Sequence, residues 1–170
     1  AEIHEQFQKS AEELRFTPKW VGELYLEMHR GTYTTQAANK KNNRRCEYLY
    51  QDAESAASCA MLLTGAAYPV KKSDGWHTIL KNQFHDIIPG SSITPVYEDS
   101  AREYAALLAG GKEMLDASLA ALAKNIKTDG GVFVYNPAPF EASGYVTCGN
   151  KEIYAENVPA HGYAVVSDTA

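Results

Sequence analysis

The chain has 170 residues, 45% of them hydrophobic and 22% charged, with a formal net charge of −5. This is an ordinary globular composition, neither disordered nor fibrous, and long enough for one or two compact units. The acidic balance speaks against nucleic acid, and no apolar run approaches the roughly 20 residues of a membrane span.

Three cysteines, Cys46, Cys59 and Cys148, stand at no metal-ligand spacing, so reduced, buried thiols are expected rather than a disulfide framework or a cysteine zinc cluster. No signal-peptide pattern is present. The chain does not begin with Met, and the expectation is a segment of something longer.

In chain order, Ile3, Phe7, Ala11 and Leu14 predict an amphipathic helix over residues 2–14, broken at Thr17-Pro18. Trp20 to Glu27 alternates loosely, as a short strand does. A polar, Gly-punctuated loop follows from Met28 to Gln36, with Thr34 or Thr35 as the cap of the next helix. Cys46, Leu49, Ala53, Ala56, Ala60 and Leu63 then form a helix–helix seam, ended by Gly65 and Pro69. A second helix is expected from Asp74 to Ile88, and Pro89-Gly90 closes it. A third starts at Thr94-Pro95, with a buried stripe of Tyr104, Leu108, Leu115, Leu119, Leu122 and Ile126. Gly110-Gly111 inside it signals a kink or a close contact. Three such helices imply an antiparallel bundle. After Asp129-Gly130-Gly131 the texture changes to short β-type runs at 132–135, 144–148, 152–155 and 163–166, too few residues for a sheet stable alone.

Two polar clusters could carry chemistry. Glu27, His29, Arg30 and Tyr33 lie on the loop after the expected strand, where active-site groups often sit, unless their charges are simply solvated. Asn82, His85 and Asp86 fall on one face of the second helix, with Trp76, Leu80, Phe84 and Ile87 opposite as its anchor. Imidazole is a common metal ligand, but a metal site needs three or four donors and one helix offers at most two. His85 and Asp86 can equally be solvated or capping groups. His4, His77 and His161 are isolated, and the basic cluster Lys40, Lys41, Arg44 and Arg45 reads as a solvated helix face.

Gly22-Glu23-Leu24-Tyr25-Leu26-Glu27-Met28-His29-Arg30-Gly31-Thr32-Tyr33-Thr34-Thr35-Gln36 closely resembles a signature of the glycoside hydrolase family 38 α-mannosidases, in their cytosolic and bacterial branch. Asn82-Gln83-Phe84-His85-Asp86-Ile87-Ile88-Pro89-Gly90-Ser91-Ser92 resembles a second signature of that family, in the right order. The strands beginning at Val132-Phe133-Val134-Tyr135-Asn136-Pro137 look like the onset of its C-terminal β domains.

The resemblance implies a mainly α fold for this stretch. Residues 1–32 would end a catalytic α/β barrel, 33–128 would be a three-helix middle domain, and 129–170 would begin a β-sandwich region. It further implies retaining hydrolysis of α-mannosides through a glycosyl–enzyme intermediate on an aspartate, with a divalent metal, usually zinc, at the sugar. His85 matches the metal-ligand His and Asp86 a residue contacting substrate hydroxyls. Glu27, His29, Arg30 and Tyr33 match the segment lining the site, with Glu27 as acid/base candidate and Glu23 behind it.

The family's nucleophile and its His-x-Asp ligands have no counterpart here, so the piece alone is expected to be inactive. The implied partners are a mannoside or oligosaccharide and the rest of a parent chain, in the cytoplasm, with family analogy allowing a homo-oligomer. The rival reading is a non-catalytic helical carbohydrate-binding or interaction module. A mannoside transferase or phosphorylase would share the same site logic.

Overall fold

The computed structural model describes residues 2–16, 19–23, 29–32 and 34–167. They divide into two compact units, residues 1–31 and 32–170. In the first, α1 (Glu2–Glu12) carries Glu2 and Glu5 in its first turn and Lys9 in its last, in line with the helix dipole. The helix stops two residues short of the expected end, and none of its residues is buried; Ile3 and Phe7 are exposed. The break at Thr17-Pro18 lies outside the described residues. So does the later part of the expected strand. Its described part, Trp20–Glu23, is irregular and bends at Gly22, which has φ +115°; the Trp20 indole N–H donates to the Glu23 carbonyl at 2.6 Å. An indole reaching three residues ahead curls the chain and is incompatible with alternation.

The second unit begins with α2 (Ala37–Thr64). Its cap is Gln36 in the left-handed region, φ 54°, rather than Thr34 or Thr35, and no side chain caps it. Gly65, at φ 72°, closes it with its N–H on the Met61 carbonyl, as a left-handed glycine does. Pro69 leads into α3 (Val70–Ser73), followed directly by α4 (Gly75–Asn82). Next, α5 runs from Thr94 to Ala123, with Pro95 in its first turn, where its missing N–H costs nothing.

Helix α5 packs along α2, and α4 packs against both. Between them lies a core of Cys46, Tyr50, Ile79, Tyr104 and Leu107, with Trp76 edge-on to Tyr50 at 5.9 Å. The expected seams hold at Cys46, Ala53, Ala56 and Ala60 of α2 and at Tyr104 and Leu122 of α5, and shift by one residue at Leu49, Leu108, Leu115 and Leu119. On α2 the buried line is Cys46, Tyr50, Ala53, Ala56, Ala57 and Ala60, while Leu63 is exposed. On α5 it is Ser100, Tyr104, Leu107, Gly111, Met114, Ser118 and Leu122. Leu49, Leu108, Leu115 and Leu119 are half-buried beside these lines.

Strand β1 (Val132–Asn136) pairs antiparallel with β4 (Gly162–Val166), in register from Val132↔Val166 to Asn136↔Gly162. The hairpin of β2 (Ala142–Cys148) and β3 (Lys151–Val158) forms a second two-stranded sheet, with a bulge between Ala142 and Gly144. Val134, Ala155 and Val158 form a small core between the sheets. Ser55 of α2 and the Tyr135 hydroxyl of β1 share a hydrogen bond of 2.9 Å, tying helices to strands. The architecture is therefore mixed, helices followed by small antiparallel sheets, rather than mainly α. Among the described residues no helix is long and apolar enough to cross a membrane.

Candidate functional site

The second expected helix ends early, at Asn82. The backbone N–H of Gln83 is shared between the Ile79 and Leu80 carbonyls, and from there to Gly90 the chain runs in consecutive turns. This overturns the shared face of Asn82, His85 and Asp86. Asn82 is 1% exposed and points inward, its amide donating to the Thr78 carbonyl at 3.0 Å and to Glu103 at 2.8 Å. His85 and Asp86 lie beyond the helix, in the turns. Their side chains are 77% and 57% exposed, with His85 Nε2 3.4 Å from Asp86 Oδ2. The Phe84 ring lies against the His85 ring at 4.1 Å and is itself half exposed. The anchoring face is corrected with it: Leu80 and Phe84 are exposed, Trp76 and Ile87 are half-buried, and Ile79 fills the core instead.

An irregular loop keeps its shape only if its backbone polar groups find partners. The loop from Gln83 to Ser92 finds them on α2 and α5. The Asn39 amide donates to the Ile87 carbonyl at 3.4 Å, and Asn39 Oδ1 accepts from Ser100 at 2.6 Å. Lys40 Nζ donates to the carbonyls of Thr35 (2.6 Å) and Pro89 (3.2 Å). The Tyr97 hydroxyl accepts from the Ser92 N–H at 3.0 Å and lies 3.3 Å from the Asp86 and Ile87 carbonyls. At the start of the loop, Gln83 donates to Asn43 (3.0 Å) and Glu47 (2.8 Å), and Asn43 also accepts from the buried Tyr104 hydroxyl. Gly90, at φ +92°, lies so close to Thr35 that a Cβ would come 2.8 Å from the Thr35 carbonyl oxygen.

None of these residues was read in the sequence as a support for the loop. Lys40 belongs to the basic cluster read as a solvated face, yet it is half-buried, and burial lowers its pKa. A signal did exist. Asn39 and Asn43 are one turn apart on α2, as Ser100 and Tyr104 are on α5, and polar residues repeating on an inward face mark a buried hydrogen-bonded seam.

His29 and Arg30 belong to the first unit, in a short helical turn; His29 is half-buried, and its Nδ1 has no hydrogen-bond partner among the described residues. Glu27 and Tyr33 lie outside the described residues, and Glu23 is exposed. Among the described residues no three His, Cys, Asp or Glu side chains are grouped as a metal site. His85 and Asp86 offer two donors, short of the three or four that zinc takes from a protein.

The sequence profile of the family described as "Alpha mannosidase middle domain" matches residues 27–122. The chain is 37% identical over 151 residues to alpha-mannosidase 2C1 of Mus musculus, covering 85% of this chain and 14% of that protein. It is 43% identical over 102 residues to alpha-mannosidase G of Dictyostelium discoideum, covering 59% of this chain and 9% of the relative. The chain thus spans about a seventh or less of the length of these relatives. Among solved structures, a glycosyl hydrolase family 38 protein of Enterococcus faecalis superposes with a TM-score of 0.63 over 86% of this chain and 18% of its own length. At 21% identity that likeness speaks for the fold. The profile covers more than half of the chain, and the chain accordingly belongs to the alpha-mannosidase family, with residues 27–122 as its middle domain.

Proposed function

We propose that this chain is part of a retaining, metal-dependent α-mannosidase that removes terminal α-mannose from mannosides or oligosaccharides. In this reading α2, α4 and α5 form a three-helix middle domain. It follows the end of a catalytic α/β barrel, and the strands from Val132 onward begin a β-sandwich region. The observation that carries it is the presentation of His85 and Asp86, both exposed, 3.4 Å apart, on a loop whose carbonyls are held from two helices. An enzyme site needs its groups held in place before substrate arrives, and this loop meets that need without being helical.

Asp86, an acceptor-only carboxylate when ionised, is suited to the hydroxyls of a bound sugar. His85 is the residue of this chain for a divalent metal, most simply zinc, whose remaining ligands come from elsewhere in a full-length mannosidase. When bound, that metal supplies Lewis-acid polarisation at sugar hydroxyls. The described residues do not complete its ligand set. Glu27 as acid/base, with His29, Arg30 and Tyr33 lining the sugar site, completes the reading.

The test is hydrolysis of an aryl α-mannoside by the full-length protein, with chelator and with zinc added back. Loss on chelation, restoration by zinc and failure of restoration in His85→Ala are the expected results. Chelator-insensitive turnover, or none on any mannoside by the well-folded protein, overturns the reading.

A further inference from the structure

A lysine in the first turn of a helix is electrostatically misplaced, because the N-terminal end of the helix dipole is positive. Lys40 is the fourth residue of α2, and the first turn holds no acid to offset it. Its ammonium is also partly withdrawn from water, with its pKa lowered by burial. The ammonium instead bridges two backbone carbonyls, those of Thr35, just ahead of α2, and of Pro89, in the loop that carries His85 and Asp86. At the same place Gly90 packs against Thr35 more closely than any side chain would allow.

We propose that Lys40 is a positioning residue of the mannosidase site: it clamps the His85–Asp86 loop to the Thr35 segment and so fixes where the imidazole and carboxylate point. The role rests on the proposed function of His85. Lys40 touches neither side chain; it acts through the Pro89 carbonyl, three residues beyond Asp86. Two charge-assisted hydrogen bonds from one ammonium hold the loop at its far end. Asn39 and Tyr97 hold its middle.

The test has two arms. In this chain, Lys40→Met keeps most of the aliphatic stem and removes every donor, while Lys40→Arg keeps the cation and several donors. Amide hydrogen exchange at Ile87 and Gly90, whose N–H groups bond within the loop, is expected to become about tenfold faster in Lys40→Met. Amides in the centre of α2 stay unchanged, and Lys40→Arg restores most of the protection. Lys40→Gln replaces the methionine variant should that one not fold. In the full-length enzyme, Lys40→Met is expected to lose bound zinc about tenfold faster than wild type, the scale seen when support behind a metal ligand is removed.

Unchanged loop exchange in Lys40→Met overturns the clamp. Faster exchange with unchanged zinc loss overturns its role in positioning the site. If His85→Ala itself retains zinc as wild type does, the reading of His85 falls, and the reason for the clamp with it, whatever the exchange result.

Discussion

Gly111 of α5 lies against Tyr50 of α2, so closely that a Cβ at position 111 would come 2.9 Å from the tyrosine Cε2. On the other side, a Cβ at Gly75 of α4 would overlap the Tyr50 hydroxyl and ring. Tyr50 is 3% exposed and has no room to swing away. The ring fills the space that two glycines leave between three helices.

Alanine at Gly75 or Gly111 is therefore expected to destabilise the unit by about 1–3 kcal/mol, overpacking outweighing the better helix propensity. Gly110 is the control. Its added Cβ would meet Tyr50 Oη at 3.9 Å, an ordinary contact, and Gly110→Ala is expected to stabilise by about 0.5–1 kcal/mol. Urea unfolding of the three variants checks the opposite signs.

Acid weakens the fold at Glu103. Burial alone would raise its pKa, but hydrogen bonds from Lys81 and Asn82 and the charges of Lys81 and Arg102 overcome this and lower it below the ordinary 4.5. A depressed carboxylate pKa adds stability that is fully present above the unfolded value and lost as pH falls through the folded one. Glu103→Gln is expected to lower stability at neutral pH and to flatten the acid limb below pH 4.5. An unaltered limb in urea titrations at several pH values contradicts this.

Asp52 has the reverse sign. Burial raises its pKa above 3.8, so its ionised form opposes folding once pH climbs through the raised value. Asp52→Asn is expected to raise stability at pH 7, with the gain vanishing below pH 3.8, where both folded and unfolded carboxyls are protonated. Thermal unfolding at the two extremes measures it.

Thiol labelling separates the cysteines. Cys46 is fully buried, and burial pushes its thiol up to about 11, whereas Cys148 is exposed. Because the thiolate is the reactive form, Cys148 should label promptly near neutral pH and Cys46 only after unfolding. Peptide mass mapping after brief exposure to an aromatic disulfide distinguishes them.

Local chemistry in the sequence was enough to place the four strands from Val132 onward, the close of α2 at Gly65 and the start of α5 at Thr94-Pro95. β-branched runs, a left-handed glycine and a proline at a helix start act over a few residues. Along α5 the seam was displaced at its middle because Ser100, Gly111 and Ser118 bury, and a search for leucines passes over them. The end of α4 was hidden for a different reason. Residues 83–88 contain no helix breaker, and what draws them out of the helix is hydrogen bonding to Asn39, Asn43 and Tyr97. His85 and Asp86 stood out as polar neighbours in the sequence, but the residues that hold them did not. Glu27 and Tyr33, legible by resemblance, lie outside the described residues.

The ties that shape this loop join residues far apart in the chain: Asn39 to Ile87 across 48 positions, Lys40 to Pro89 across 49, and Ser100 to Asn39 across 61. The loop therefore has no independent existence as a local motif; it takes form only once α2 and α5 have docked. Damage to the helix packing, even at Gly111 or Gly75, would surface in a turnover assay as though the proposed sugar site itself had been struck. Variants that lose activity need their folding measured before any lesion is assigned to His85 or Asp86.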